Sequence, residues 1–154
     1  MSLRLHFSSP TQRQTDAGYT LLEMLIAVLV ISFGLLGLAG LQATALKNNH
    51  SAYMNAVATQ LAYEMADRIR ANKGIAYDTV SPPAAVPDCE SAACSPATLA
   101  QYDVAQWRTK VSVELAGASI PSIALANGVY TLTLTWTDKR DGALTTTYST
   151  SFVP

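Results

Sequence analysis

The side chains that could carry chemistry in this 154-residue chain are few: two histidines, two cysteines and eleven acids against ten bases. His50 has no cysteine near it in the chain, so a Ser-His-Asp or Cys-His nucleophile would have to be assembled from distant parts. Zinc ligation needs four ligands at tetrahedral spacing, which Cys89 and Cys94 without neighbouring histidines do not supply. Asp67, Asp78, Asp88, Glu90, Asp103 and Glu114 come singly and read as solvated surface rather than as paired carboxylates for acid-base work. The glycine cluster lies inside an apolar run, so no phosphate-cradling loop is present, and a net charge of -1 without a basic stripe argues against nucleic-acid recognition. The composition thus points away from an enzyme, a metal site and a cofactor. One acid stands apart. Glu23 opens a stretch of 23 uncharged residues that ends only at Lys47. An ionised carboxylate at the lip of a bilayer costs several kcal/mol unless it is paired, which makes such an acid a functional residue by default.

The element that must carry Glu23 is a membrane span. About 20 apolar residues cross a bilayer as a helix, and Met24 to Leu46 meets that length with Ser32, Gln42 and Thr44 as its polar interruptions. Arg4 and Arg13 against Asp16 on the N-terminal side, with Lys47 after the span, orient the N-terminus towards the cytoplasm and export the rest. Cys89 and Cys94 then meet oxidising conditions that favour a disulfide, and their ring is small enough to stabilise by only about 2 kcal/mol. Two plainer readings compete. A secretory signal peptide would be cut near Ala43-Thr44-Ala45, and an uncleaved signal anchor would hold an unrelated exported domain; neither accounts for Glu23.

The residues that do account for it are Gly18-Tyr19-Thr20-Leu21-Leu22-Glu23, set between a polar leader and the apolar helix. This segment resembles the type IV pilin superfamily. The resemblance implies that a prepilin peptidase cuts between Gly18 and Tyr19 and methylates the new amine at Tyr19, where the family usually has phenylalanine. It implies further that Glu23 of one subunit pairs with the N-terminal amine of a subunit already in the filament. Gly34, Gly37 and Gly40 each weaken a helix by about 0.5 to 1 kcal/mol relative to alanine. They mark either the stretch where pilins extend in the filament or a close approach of a neighbouring helix. The stretches Gly34 to Gln42 and Ala66 to Asn72 resemble the PilV type of minor pilin, as do the layout of Asp103 to Trp107 and of Trp136-Thr137-Asp138.

Helical spacing continues beyond Lys47 through Leu46, His50, Tyr53, Val57, Leu61, Met65 and Ile69, with Glu64 and Arg68 four apart in the favourable order. No proline occurs from Tyr19 to Gly74, and Asn72 with Gly74 signals a stop, so one helix of about 80 Å is expected. Prolines make residues 74–95 a loop. Ser95-Pro96 starts a second helix carrying Val104, Trp107, Val111 and Leu115 on one face, although Val111, Val113 and Leu115 also fit a strand. Tyr130, Leu132, Leu134 and Trp136 alternate with threonines in a half-buried strand. A polar turn from Asp138 to Gly142 leads to a partner strand with Leu144, Tyr148 and Phe152 facing the same core. The expected fold is α+β: a pilin-like lollipop of one long N-terminal helix, a small antiparallel head and a short extra helix.

The organisation that follows is a cleaved cytoplasmic leader at 1–18, a membrane and filament-core segment at 19–46, and a periplasmic head at 47–154. The resemblance implies a minor pilin of the inner membrane that later joins a surface pilus and supports twitching motility or adhesion. Its partners would be other minor pilins, the major pilin, the prepilin peptidase and the inner-membrane assembly platform, with lipid as the environment before assembly. A type II secretion pseudopilin shares the cleavage motif and the long helix, and a signal-anchored adhesin or DNA-uptake receptor is the reading from another class.

Overall fold

A threonine starts the first helix. In the computed structural model, which describes Gly18, residues 20–138 and residues 144–154, helix α1 runs from Leu21 to Ala71. Thr20 occupies its N-cap: the Glu23 amide is shared between Thr20 Oγ1 at 3.3 Å and the Thr20 carbonyl at 3.0 Å, so one orphan amide of the first turn is satisfied locally. At the other end Arg68 and Arg70 lie in the last turn, where the helix dipole favours cations, and Gly74 adopts a φ of +104° that a side chain would strain. The leader residues 1–17, Tyr19 and residues 139–143, which include most of the expected turn, lie outside the described residues.

The chain divides into two compact units, Met1–Gln42 and Ala43–Pro154. In the first, every described residue of α1 is exposed, including each leucine, isoleucine and valine from Leu21 to Leu41. The window is long and apolar enough to cross a membrane, and none of it is covered.

In the second unit α1 buries Met54, Ala58, Leu61, Ala62, Met65, Ala66 and Ile69, a face repeating at three and four residues. This corrects the expected stripe. Leu46 is exposed, Tyr53 is 63% exposed and Val57 is only partly buried, so the buried face is rotated by about one residue towards the alanines. The cause is the second helix. Trp107, fully buried, donates its indole N–H to the Leu61 carbonyl at 2.9 Å, and side chains no larger than Ala58 and Ala62 beside Leu61 permit that approach.

Helix α2 spans Pro96–Glu114 with Ser95 as N-cap, its hydroxyl accepting from the Thr98 amide at 3.2 Å, and proline in the first turn. The helix continues past Thr109, which removes the strand alternative. Val111 and Leu115 are buried and joined by a 2.9 Å backbone bond, whereas Val113 is 74% exposed on the far side.

Three antiparallel strands, β1 (Ser122–Ala126), β2 (Val129–Asp138) and β3 (Leu144–Phe152), form a sheet in the order β1-β2-β3. Strand β2 alternates as expected, with Tyr130, Leu132, Leu134 and Trp136 buried. Its threonine and serine partners form hydroxyl pairs on the other face, Thr131 with Ser151 at 2.9 Å and Thr135 with Thr147 at 3.2 Å. Strand β1 is an addition to the expected hairpin. It turns into β2 through Asn127 (φ 51°) and Gly128 (φ 77°), the two-residue connection whose positive φ values match the strand twist. Tyr148 and Phe152 pack against the core, but Leu144 is 59% exposed: it pairs with Asp138 at the end of the ladder, beyond the last buried apolar side chain, Trp136. Within residues 74–95 a 3-10 turn at Tyr77–Thr79 buries Tyr77 almost completely. The architecture is α+β, with α1, α2 and the sheet contributing to one apolar cluster in the second unit.

Candidate functional site

Glu23 lies at the third position of α1, in the turn whose free amides make that end of a helix electropositive. Its side chain is exposed, and it is the acidic residue of the first turn. Gly18 lies two residues before the cap in non-helical, exposed backbone, with nothing within 4 Å of the position a Cβ would take. Tyr19, the other half of the expected cleavage pair, lies outside the described residues.

The remainder of the first unit presents side chains of hydrocarbon character on all sides of the helix. So large an apolar area calls for cover by lipid or by other protein. Gly34, Gly37 and Gly40 are helical here, and each faces open space where a Cβ would project. A neighbouring helix could approach closely at these three positions.

A different kind of site joins α1 to α2. Arg68 donates to Glu64 Oε1 at 2.7 Å, to Gln106 Oε1 at 2.7 Å and to Asp103 Oδ1 at 3.1 Å. The second oxygen of Asp103 accepts the Tyr77 hydroxyl at 2.8 Å, and Asn72 Nδ2 donates to Tyr77 Oη at 3.0 Å and to the Pro96 carbonyl at 2.8 Å. Lys110 closes the network on Glu64 Oε2 at 2.8 Å. Asp103, expected at the solvated surface, is 7% exposed, because Arg68 and Tyr77 supply the donors that let its charge be buried. Burial raises the Glu64 pKa, but hydrogen bonds from Lys110 and Arg68 outweigh it and hold the carboxyl below the ordinary glutamate value of 4.5. Burial first, and then the Asp103 acceptor, push the Tyr77 phenol well above its usual value, so it is a fixed donor at any physiological pH. This is scaffold chemistry: each polar group is spent on another.

His50 Nε2 lies 3.9 Å from Asp138 Oδ1 beside a cavity that Glu114 and Thr137 also line. No thiol joins them, since Cys89 and Cys94 are bonded to each other with their Cα atoms 5.5 Å apart and no described cysteine is free. Asp88 braces that small ring by accepting from the Glu90 and Ser91 amides at 3.1 and 3.2 Å. Hydrogen bonds from Ser91, then the Glu90 amide, keep its pKa below the usual aspartate value. Among the described residues no group of three or more His, Cys, Asp or Glu side chains is placed to hold a metal ion.

Sequence reasoning missed Tyr77, the burial of Asp103 and strand β1. For β1 a signal was available in Asn127-Gly128 ahead of the alternating strand.

The exposed, span-length apolar helix with an acid in its first turn and the small α+β unit are what the pilin resemblance implies. Comparison with known families agrees: residues 13–39 match the prokaryotic N-terminal methylation motif, and residues 40–105 match the Tt1218-like family, described as type IV pilin Tt1218. The two matches adjoin and together support placing the chain in the type IV pilin superfamily. The second takes in Arg68, Tyr77 and Asp103 and ends before the sheet. No curated protein and no solved structure matches the chain significantly.

Proposed function

We propose that this chain is a minor pilin of the PilV type, which enters a type IV pilus by inserting residues 19–46 into the filament core. In this reading a prepilin peptidase removes residues 1–18 and methylates the new N-terminus at Tyr19. The protein waits in the inner membrane with residues 47–154 exported. It then joins other minor pilins and the major pilin at the assembly platform, with twitching motility or adhesion as the downstream result. Its role is structural and noncovalent.

The observation that carries the reading is Glu23: one exposed carboxylate on the first helical turn, followed by 23 residues without a charge. Lipid and apolar protein offer it no counter-charge, whereas an amine created four residues upstream on every processed subunit does. Pairing with a neighbour's amine would neutralise both groups and set the axial register at one step. The first-turn dipole stabilises the same carboxylate within its own helix, but that interaction gives no reason for Gly18 and Tyr19 to precede it.

Mass spectrometry of the N-terminal peptide from membrane-extracted protein tests the processing step. The expected peptide begins with N-methylated Tyr19. An intact Met1 would leave the signal-anchor reading in place, and a start at Leu46 would mark an ordinary secretory precursor; either would remove the filament reading. Deleting the gene then separates pilus from secretion: loss of surface pili with normal enzyme export is the expected result, and the reverse would point to a pseudopilin.

A further inference from the structure

The two edges of the sheet are built differently. Strand β1 is five residues long, follows Pro121 directly and lies against the 3-10 turn at Tyr77–Thr79. Short length and a proline keep an edge from pairing with another chain, as does a segment laid against it. Strand β3 has none of these. Its nine residues, Leu144 to Phe152, pair with β2 in one uninterrupted register and contain no charge and no proline. Among the described residues no helix or strand runs along its outer side, and beyond the ladder with β2 it makes no backbone hydrogen bond.

Successive residues of a strand direct their N–H and C=O groups to opposite sides, so about half of those groups in β3 face outwards with a repeat of about 7 Å. Another extended backbone matches that repeat; a helix or a small molecule does not. The side chains add a second requirement. On the core side of the edge Leu144 is 59% exposed and Tyr148 and Phe152 are half-buried, while Thr145, Thr147, Ser149 and Ser151 are exposed on the other face. A guest strand that is apolar on one face would cover the first set, and small polar residues on its other face would extend the hydroxyl pairs already formed with β2. A charged guest residue would lose water without gaining a partner, because residues 144–152 bring no charge and Arg70, over the Phe152 ring, is already paired with Asp67. A second copy of β3 does not suit the edge. Two identical edges meet antiparallel about a two-fold axis normal to the sheet, which would reverse the stretch of α1 packed against it, whereas copies held in one membrane or one filament point the same way.

We infer that the outer edge of β3 is a docking site for an extended, uncharged segment of a different polypeptide, which adds to the sheet as a fourth strand. The choice of a different chain rests on the membrane and filament reading; the open edge does not.

The test uses the full chain in the producing cell, with the photo-crosslinking residue benzoylphenylalanine placed in turn at Thr147, Ser149 and Ser151, whose side chains are exposed. Strand addition is expected to join all three positions to one segment of another polypeptide, the crosslinked residue moving by about two along that segment for each step of two along β3. Contact with a helix or a folded surface would not keep that step. Of Ser149→Pro and Thr150→Pro, one removes an outward amide and the other a ladder bond to β2. The outward variant should retain the thermal midpoint and lower the crosslink from position 147 by at least about tenfold, whereas the inward variant should lower the midpoint. Crosslinks that do not advance in step, or a crosslink indifferent to the outward proline, overturn the docking site. Coupling to residues 144–152 of a second copy overturns the choice of a different chain. A mature start at Tyr19 with no crosslink from any of the three positions overturns the site and leaves the filament reading standing. A start at Met1 with stepwise crosslinks to another polypeptide overturns the filament reading and leaves the site standing.

Discussion

Helix α1 carries two surfaces of opposite kind. From Leu21 to Gln42 large apolar side chains surround the axis and all are exposed; from Ala43 to Ala71 one face is lined by Met54, Ala58, Leu61, Ala62, Met65, Ala66 and Ile69, and that face is buried. Among the described residues nothing covers the first surface, and so large an apolar area calls for lipid or other protein. The second is satisfied by α2 and the sheet within the same chain. In the proposed reading assembly and stability are separable, with Glu23 and the first stretch serving association and the Arg68 network and Trp107 serving the fold. Substitutions in the two stretches should therefore fail in different ways.

The largest expected effect lies in the first stretch. Glu23→Ala should leave membrane insertion intact while incorporation into pili, measured by immunoblot of sheared filaments, falls by about a hundredfold or more, because a neighbour's buried amine loses its counter-charge. Normal incorporation of this variant would dissolve the distinction between the two surfaces. Against the second stretch, Trp107→Ala in α2 removes a fully buried ring and the bond to the Leu61 carbonyl. A loss of about 3–5 kcal/mol is expected in denaturant unfolding of the full chain in detergent, with N-terminal processing unaffected. Asp103→Ala strands Arg68 and Tyr77 and should cost about 1–3 kcal/mol by the same measurement, while Asp103→Asn keeps the shape and costs less.

Much of this comparison was legible in the chain and part was not. The apolar stretch, the Ser95-Pro96 cap and the alternation of β2 are local patterns, so periodicity and cap chemistry disclosed them. Asp103 looked like surface because its burial depends on Arg68, 35 positions earlier, and on Tyr77, 26 positions earlier. Tyr53 looked buried because a stripe read at helical spacing tolerates a shift of one residue, and the shift is set by where Trp107 lies against Leu61. Strand β1 has only Ile123 and Leu125 as large apolar residues, too few for its alternation to stand out beside β2. Of the proposed assembly site, the order Gly18, Tyr19, Glu23 was plain in the residues; the N-cap by Thr20 became visible only as geometry.

The smaller effects sharpen the comparison further. Acid should weaken the second unit through Glu64: its pKa is lower folded than unfolded, so its contribution is complete above about 4.5 and is lost as pH falls below that value. Glu64→Gln should flatten that acid limb in a thermal-midpoint series. Smaller still, Gly128→Ala forces a side chain into positive φ at the β1–β2 turn and should cost about 1 kcal/mol.

The most direct measurement is zero-length carbodiimide coupling of intact pili followed by peptide mass spectrometry. Contact between Glu23 and a neighbour's terminal amine should yield a peptide in which the Glu23 carboxyl is joined to the N-terminal residue of another subunit. Filaments that contain this chain with Glu23 uncoupled, while other carboxylates couple to lysines under the same treatment, would contradict the pairing.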